Sequence, residues 1–102
     1  MIVVPFPFTD LSGSKRRPAF VITNLPDDDI ILCQITSKNF HDRYAVSCDN
    51  DDFANGSLPV ESFIRPNKIF TADKKLILSV AGHLSENKIK EVIDSIGSII
   101  FA

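Results

Sequence analysis

Turn-forming residues divide most of this chain into apolar segments too short for ordinary helices. Proline, glycine, asparagine and aspartate recur between short runs rich in valine, isoleucine and phenylalanine through residues 2–71. Short apolar runs bounded by turn residues are typical of β-strands. The pattern predicts a first strand from Ile2, which Pro5 and Pro7 confine to an edge or end early. Further strands are predicted at 18–23, 30–35, 44–48, 60–64 and 68–71, and residues 75–83 are ambiguous.

The segments between these strands read as loops, at 9–17, 24–29 and 49–57. The strand at 30–35 is apolar enough to be buried on both faces. Turn signals at this spacing favour a small, strongly bent antiparallel sheet or barrel.

The C-terminal segment has a different period. Apolar residues recur there at spacings of three and four, at Ile89, Val92, Ile93, Ile96 and Ile100. That spacing predicts an amphipathic helix over 86–99 whose apolar stripe packs on the sheet. Ser85 is the predicted N-cap, because its hydroxyl can accept hydrogen bonds from the first helical turn. Lys88, Lys90, Glu91 and Asp94 fall off the stripe and are expected to face solvent.

Length and composition limit the chain to one domain. With 102 residues, of which 44% are hydrophobic and 24% are charged, it can bury a single core and is not expected to be disordered. No apolar run approaches the ~20 residues of a membrane-spanning helix, and no signal peptide is recognisable, so we expect a cytoplasmic protein without a membrane role. Cys33 and Cys48 fit a reduced compartment.

The net charge of −2, taken alone, argues weakly against a nucleic-acid partner. However, six of the thirteen acidic residues lie in two short runs, at 27–29 and 49–52. Without those six, the chain has seven acidic and eleven basic residues, so the net charge of the rest is +4. Because partners respond to local fields, a basic groove is compatible with this composition.

Polar and cationic side chains collect at predicted strand ends and in loops: Thr9, Asp10, Lys15, Arg16, Arg17, Thr36, Ser37, Lys38, Arg65, Asn67 and Lys68. Arginine binds phosphate through two parallel hydrogen bonds, and hydroxyls add neutral ones. The set therefore suits a phosphodiester ligand, although a solvated polar rim has the same composition. No motif predicts a cofactor, and His41, His83 and the two cysteines lack the spacing of metal ligands.

Five segments resemble, in order, the toxins of the PemK/MazF family. They are 4–10, 15–22, 33–37, 62–70 and 82–85, and the resemblance extends over essentially the whole chain. It implies one toxin domain over residues 1–102. It also implies a mainly β fold with a C-terminal helix, an SH3-like antiparallel barrel of the CcdB/MazF/Kid type.

The resemblance further implies a metal-independent endoribonuclease that cleaves single-stranded mRNA by attack of a ribose 2′-hydroxyl. Arg17 matches the family's arginine before proline, and Arg65 matches its later arginine, so both are implied to be catalytic. Thr36 and Ser37 match its phosphate-binding pair. Lys15, Arg16, Asn67 and Lys68 adjoin these positions and are implied to bind substrate. The implied partners are a cognate antitoxin and a second copy in a homodimer, with DNA bound only through the toxin–antitoxin complex.

Two departures from the family pattern support an alternative. The stretch 11–14 lacks the carboxylate that members often carry, and Asn67 stands where some members have aspartate. Asparagine cannot act as a base at neutral pH, and Asp10 and Asp73 are the nearby carboxylates. The alternative is a non-catalytic relative that binds nucleic acid or an antitoxin. A third reading, a gyrase-poisoning toxin, would act through the apolar end of the helix at 98–102.

Overall fold

In the computed structural model, which describes residues 2–10, 13–37 and 43–102, a sheet of seven strands precedes one helix. The strands are β1 (Ile2–Asp10), β2 (Gly13–Asn24), β3 (Asp29–Thr36), β4 (Val46–Cys48), β5 (Phe53–Gly56), β6 (Ser62–Asp73) and β7 (Gly82–Leu84), and the helix is α1 (Glu86–Ile100). Short 3-10 helices lie at Asn50–Asp52 and Lys74–Leu76. The predicted class, mainly β with a C-terminal helix, is confirmed.

All strand pairs in the sheet are antiparallel, in the order β4-β6-β3-β2-β1-β7-β5. Among the described strands, no pairing joins β4 to β5. The sheet therefore keeps two edges, and the barrel expected from the sequence is not closed by hydrogen bonds in this part of the chain.

The first hairpin corrects the loop predicted at 9–17. β1 and β2 stay in register from Val3↔Phe20 to Asp10↔Gly13, so most of this polar stretch is strand. Backbone hydrogen bonds to a facing strand do not depend on side-chain polarity, which is why composition misled the prediction. The last residue pair between β2 and β3 is Ala19↔Gln34. The part of β2 before Ala19 pairs with β1 and has no recorded pairing with β3.

Strand β6 joins the two strands predicted at 60–64 and 68–71. Its register with β3 shifts between Ile35↔Ile64 and Cys33↔Ile69. Four residues of β6, at 65–68, therefore lie opposite the single residue Gln34 and form a bulge. Pro66 has no backbone N–H to contribute to a ladder, which favours such an interruption.

Two short strands were not predicted. β5 lies in the segment read as a loop at 49–57, and β7 begins at Gly82, near the end of the ambiguous segment 75–83. Gly56 has φ of 78°, and a Cβ there would overlap the carbonyl oxygen of Ala81. This close approach of β5 to β7 joins segments too distant in sequence for a local pattern to connect.

Strand β3 is buried on both faces, as predicted. On one face, Cys33 and Ile35 pack in a cluster with Phe20, Ile64 and two residues of α1, Val92 and Ile96. On the other face, Ile30 and Leu32 pack with Ala19 and Val21. Burial raises the pKa of the Cys33 thiol to about 12. The apolar stripe of α1 thus belongs to the core of its own chain, as expected.

No helix in the described ranges is both long and apolar enough to cross a membrane.

Candidate functional site

A cavity of about 430 Å³ lies at the end of β3, beside the part of the first hairpin that extends past it. Its walls come from β2, from the end of β3 and from the segment between β5 and β6. The lining residues are Arg16, Arg17, Pro18, Ile35, Thr36, Ser37, Ser57, Leu58, Pro59, Val60, Ser62 and Ala81. The volume falls within the range typical of small-ligand sites.

Four of the eight residues proposed from the sequence line this cavity. Arg16 and Ser37 are exposed, Arg17 is half-buried, and Thr36 is 8% exposed. The two arginines come from β2 and the two hydroxyl residues from β3, so sheet pairing brings together groups that are twenty residues apart in sequence. The cavity mouth can donate hydrogen bonds to an anionic group from two directions.

The strand register indicates that Arg17 and Thr36 share one face of the sheet. Ala19 pairs with Gln34, and continuing this register by two residues sets Arg17 opposite Thr36. Thr36 in turn pairs with Phe63 of β6. Arg65 follows Phe63 by two residues, at the point where the bulge in β6 interrupts the regular alternation of faces.

Of the other four proposed residues, Arg65, Asn67 and Lys68 are not among the described residues that line the cavity. Arg65 is half-buried where the β6 bulge begins, and Asn67 and Lys68 are exposed within the bulge. Lys15 has its backbone in β2 opposite Phe8, and its side chain is not among those described. Lys38, from the wider polar set, lies outside the described residues.

Sequence reasoning missed the wall formed by residues 57–62 and by Ala81. The backbone N–H of Leu58 donates to the Asn50 side chain at 3.2 Å, and that of Ser57 donates to the carbonyl of Ala81 at 3.3 Å. The Ser62 hydroxyl donates to the carbonyl of Val60 at 3.0 Å. The loop predicted at 49–57 ends where this wall begins, but no local signal connected it to β3.

The described lining contains arginines, hydroxyls and apolar groups, but no carboxylate or imidazole. Asp73 lies opposite Asp29 at the other end of β6, far from the pairing of Phe63 with Thr36. In the part of the chain that the structure describes, no three His, Cys, Asp or Glu side chains converge as metal ligands would. The cavity therefore offers positive charge and hydrogen-bond donors to an anion, with no described side chain that accepts a proton at neutral pH.

A family model described as PemK-like, MazF-like toxin of type II toxin–antitoxin systems matches residues 2–100. A comparison with curated proteins finds no match. Solved structures with this fold include a MazE–MazF complex from Deinococcus radiodurans, 20% identical, with a TM-score of 0.79 over 98% of this chain and 92% of that chain. Another is an endoribonuclease from a mycobacterial species, 13% identical, with a TM-score of 0.74 over 98% of this chain and 88% of that one.

The toxin MazF-mt6 of Mycobacterium tuberculosis is 16% identical, with a TM-score of 0.69 over 95% of this chain and 96% of that one. At these identities the structures establish the fold. Together with the family match over nearly the whole chain, they place the protein in the toxin class of type II systems. The chain belongs to the PemK/MazF family.

Proposed function

We propose that this protein is an endoribonuclease that cleaves single-stranded RNA at the cavity beside β3. The observation that supports it is that two arginines, Arg16 and Arg17, and two hydroxyl residues, Thr36 and Ser37, line the same cavity. Paired guanidinium and hydroxyl donors fit a phosphodiester, whose oxygens accept hydrogen bonds and whose charge increases during cleavage.

The proposed reaction is attack by the ribose 2′-oxygen on the adjacent phosphorus. The new 2′-oxygen–phosphorus bond forms as the bond to the 5′-oxygen of the next nucleotide breaks. The 2′-hydroxyl loses its proton to a base, and the leaving oxygen gains one from an acid, which leaves a 2′,3′-cyclic phosphate and a 5′-hydroxyl end.

In this scheme Arg17 stabilises the charge that gathers on the phosphoryl oxygens, and Thr36 and Ser37 hold the phosphate. Arg65 comes from β6, two residues after Phe63, the partner of Thr36, and adds a second positive charge. Its proposed role is to stabilise charge and not to donate a proton. Arg16, Lys15, Asn67 and Lys68 contact neighbouring parts of the RNA strand.

The proposal includes a cognate antitoxin and a homodimer. Its support is that related folds were solved as a MazE–MazF complex and as an endoribonuclease with its cognate antitoxin. An acidic, disordered segment that folds across the cationic mouth of the cavity would block access of RNA. DNA would be bound only through the toxin–antitoxin complex.

The test is cleavage of a defined single-stranded RNA by the purified protein in the presence of EDTA, with the new 5′ ends mapped by primer extension. Arg17→Ala and Arg65→Ala should each lower the cleavage rate by about 10²–10³-fold, the usual effect of removing one donor to a developing oxyanion. Lys75→Ala is the matched control, because Lys75 is exposed on the second 3-10 helix and outside the cavity.

A non-catalytic relative is the second candidate, because the described lining has no carboxylate or imidazole. It predicts that the wild-type protein binds RNA, with an affinity that falls as salt rises, yet releases no product.

For the first candidate, cleavage that is as fast in the Arg17→Ala, Arg65→Ala double variant as in the wild type would show that the active site lies elsewhere.

A further inference from the structure

A second cavity, of about 410 Å³, lies between the start of β4 and the C-terminal half of α1. Its lining differs from that of the first cavity, because it combines an aromatic ring, a guanidinium, a carboxylate and hydroxyls. The residues used below are Arg43, Tyr44, Glu91, Ser95 and Ser98. None of them belongs to the site proposed for cleavage.

Tyr44 and Arg43 form a flat, rigid wall of this cavity. The guanidinium carbon of Arg43 lies 5.0 Å from the centre of the Tyr44 ring, and Arg43 Nη2 donates to Tyr44 Oη at 2.9 Å. Arg43 therefore covers one face of the ring and limits its rotation. A planar ligand that enters the cavity can stack against this arginine–tyrosine pair, because aromatic side chains and arginine planes are the platforms on which proteins stack RNA bases.

Glu91 provides a hydrogen-bond acceptor whose position is held from the core side. Its Oε1 accepts from the ammonium group of Lys88 at 3.0 Å, and Lys88 is only 8% exposed. The same ammonium donates to the carbonyl of Ser47 at 2.9 Å, which connects α1 to β4. A carboxylate held in this way can accept from an amino group on the edge of a base, and the nearby hydroxyls of Ser95 and Ser98 can donate or accept.

The second cavity is within reach of an RNA strand bound at the first. Val46 lines it and pairs with Ile64, the neighbour of Arg65. Ser37 and Arg43 are six residues apart, so at most roughly 20 Å of chain separates the two cavity walls. That distance is spanned by a few nucleotides of extended single strand.

We propose that the second cavity is a subsite for one unstacked nucleobase of the RNA substrate, in which Tyr44 is the stacking platform and Glu91 accepts from the base's exocyclic amino group. The inference rests on the proposed function. It assigns Tyr44 and Glu91 to base preference and not to the chemical step. Bases with an amino group are favoured over uracil at this position.

The experiment measures the affinity of single-stranded 2′-O-methyl oligonucleotides of cytidine and of uridine by fluorescence anisotropy. These probes lack the free 2′-hydroxyl and stay intact. The wild-type protein should bind the cytidine probe more tightly than the uridine probe. Tyr44→Ala should weaken binding by about 5–100-fold, in line with the loss of one stacked base, while Tyr44→Phe should keep most of the affinity. Glu91→Gln should reduce the preference for cytidine.

Phe101→Ala is the control, because Phe101 is an exposed aromatic residue near the end of α1 that does not line the cavity. If the wild type binds and cleaves RNA, and Tyr44→Ala and Phe101→Ala bind that RNA with equal affinity, the subsite is refuted. The proposed function is then unaffected. A wild-type protein that neither binds nor cleaves RNA would refute both. Two further results would overturn the subsite: a Tyr44→Ala variant that changes the oligomeric state in light scattering, or free CMP that binds as tightly as the oligonucleotide.

Discussion

Lys88 shows how a single charged residue becomes part of a protein interior. Its position lies off the apolar stripe of α1, and the sequence predicted a solvated side chain, but the residue is 8% exposed. Its ammonium group contacts Ser47, Glu91 and, at 3.6 Å, a carboxylate oxygen of Asp52. Burial alone lowers the pKa of Lys88, but the hydrogen bond that Lys88 donates to Glu91 and the charges of Asp52 and Glu91 outweigh it and raise that pKa.

We expect Lys88→Met to lower the free energy of unfolding by about 1–3 kcal/mol, the range for losing a buried hydrogen bond to a charged group. The methionine fills the same space, but the Ser47 carbonyl and the Glu91 carboxylate lose their donor, and Asp52 loses its ion pair. Urea unfolding at neutral pH measures this effect, and Lys90→Met is the control because Lys90 is exposed on the same helix. Equal stability of the two variants would mean that the Lys88 contacts contribute nothing net.

Arginine positions could be proposed from the sequence, but their mutual arrangement could not. Arg16 and Arg17 were expected in a loop, and they lie on β2. Their place beside Thr36 and Ser37 follows from the pairing of β2 with β3, which no local pattern specifies. The separation of Arg65 from the cavity lining has the same origin, because it depends on where the bulge in β6 falls.

The helix is the element that local sequence predicts best. The expected span of 86–99 and the N-cap at Ser85 compare with an observed helix of Glu86–Ile100, in which the Ser85 hydroxyl accepts from the backbone N–H of Lys88 at 3.3 Å. Capping and a 3.6-residue period act within a few residues, so the sequence contains this information directly. Val92 and Ile96 are buried as the stripe requires, whereas Ile100 is 60% exposed.

Two glycines in different elements should respond oppositely to alanine. Gly97 lies inside α1 with open space where a Cβ would be, so Gly97→Ala should raise the free energy of unfolding by about 0.5–1 kcal/mol. Gly56 has a positive φ and lies against the backbone of Ala81, so Gly56→Ala should lower it by at least ~1–2 kcal/mol. Thermal or urea unfolding of the pair gives the comparison. A destabilised Gly97→Ala variant would indicate that something packs against this part of the helix.

The strands were harder to predict than the helix because their limits depend on distant partners. The polar sequence of the first hairpin looks like a loop until the facing strand is known. β5 and β7 are too short to show an alternating pattern, and they exist because they pair with each other and with β1. Two strands were predicted to within two residues of their observed limits: β3, which is apolar on both faces, and the short β4.

Across the whole molecule, the net charge of −2 sets an expectation for RNA affinity. Long-range attraction of a polyanion should be weak, so binding should depend on the few cations near the first cavity. If the five cations proposed to contact RNA each neutralise one phosphate, the logarithm of affinity should fall with the logarithm of salt with a slope of about −3.5, since each contact on a single strand contributes about −0.7. These cations are Lys15, Arg16, Arg17, Arg65 and Lys68.

Arg17→Ala should reduce the magnitude of that slope by about 0.7 and weaken binding at every RNA sequence, because a phosphate contact carries no base information. Lys75→Ala should leave the slope unchanged. Titrations of one uncleavable RNA at four or five salt concentrations measure both. A much steeper wild-type slope would place additional cations on the RNA and contradict the assignment of five phosphate contacts.

The sequence by itself determined a mainly β chain with one C-terminal helix, the burial of β3 and the cap of α1, and it was enough to propose residues for a phosphodiester site. These properties depend on neighbours within a few residues along the chain. Only the tertiary structure decided that two arginines meet two hydroxyls at one cavity, that residues 57–62 form its far wall, that Lys88 is buried and that Tyr44 faces α1 across a second cavity. Those arrangements depend on strand register and helix packing. Both are set by the free energy of the whole fold, so no short segment of the sequence predicts them.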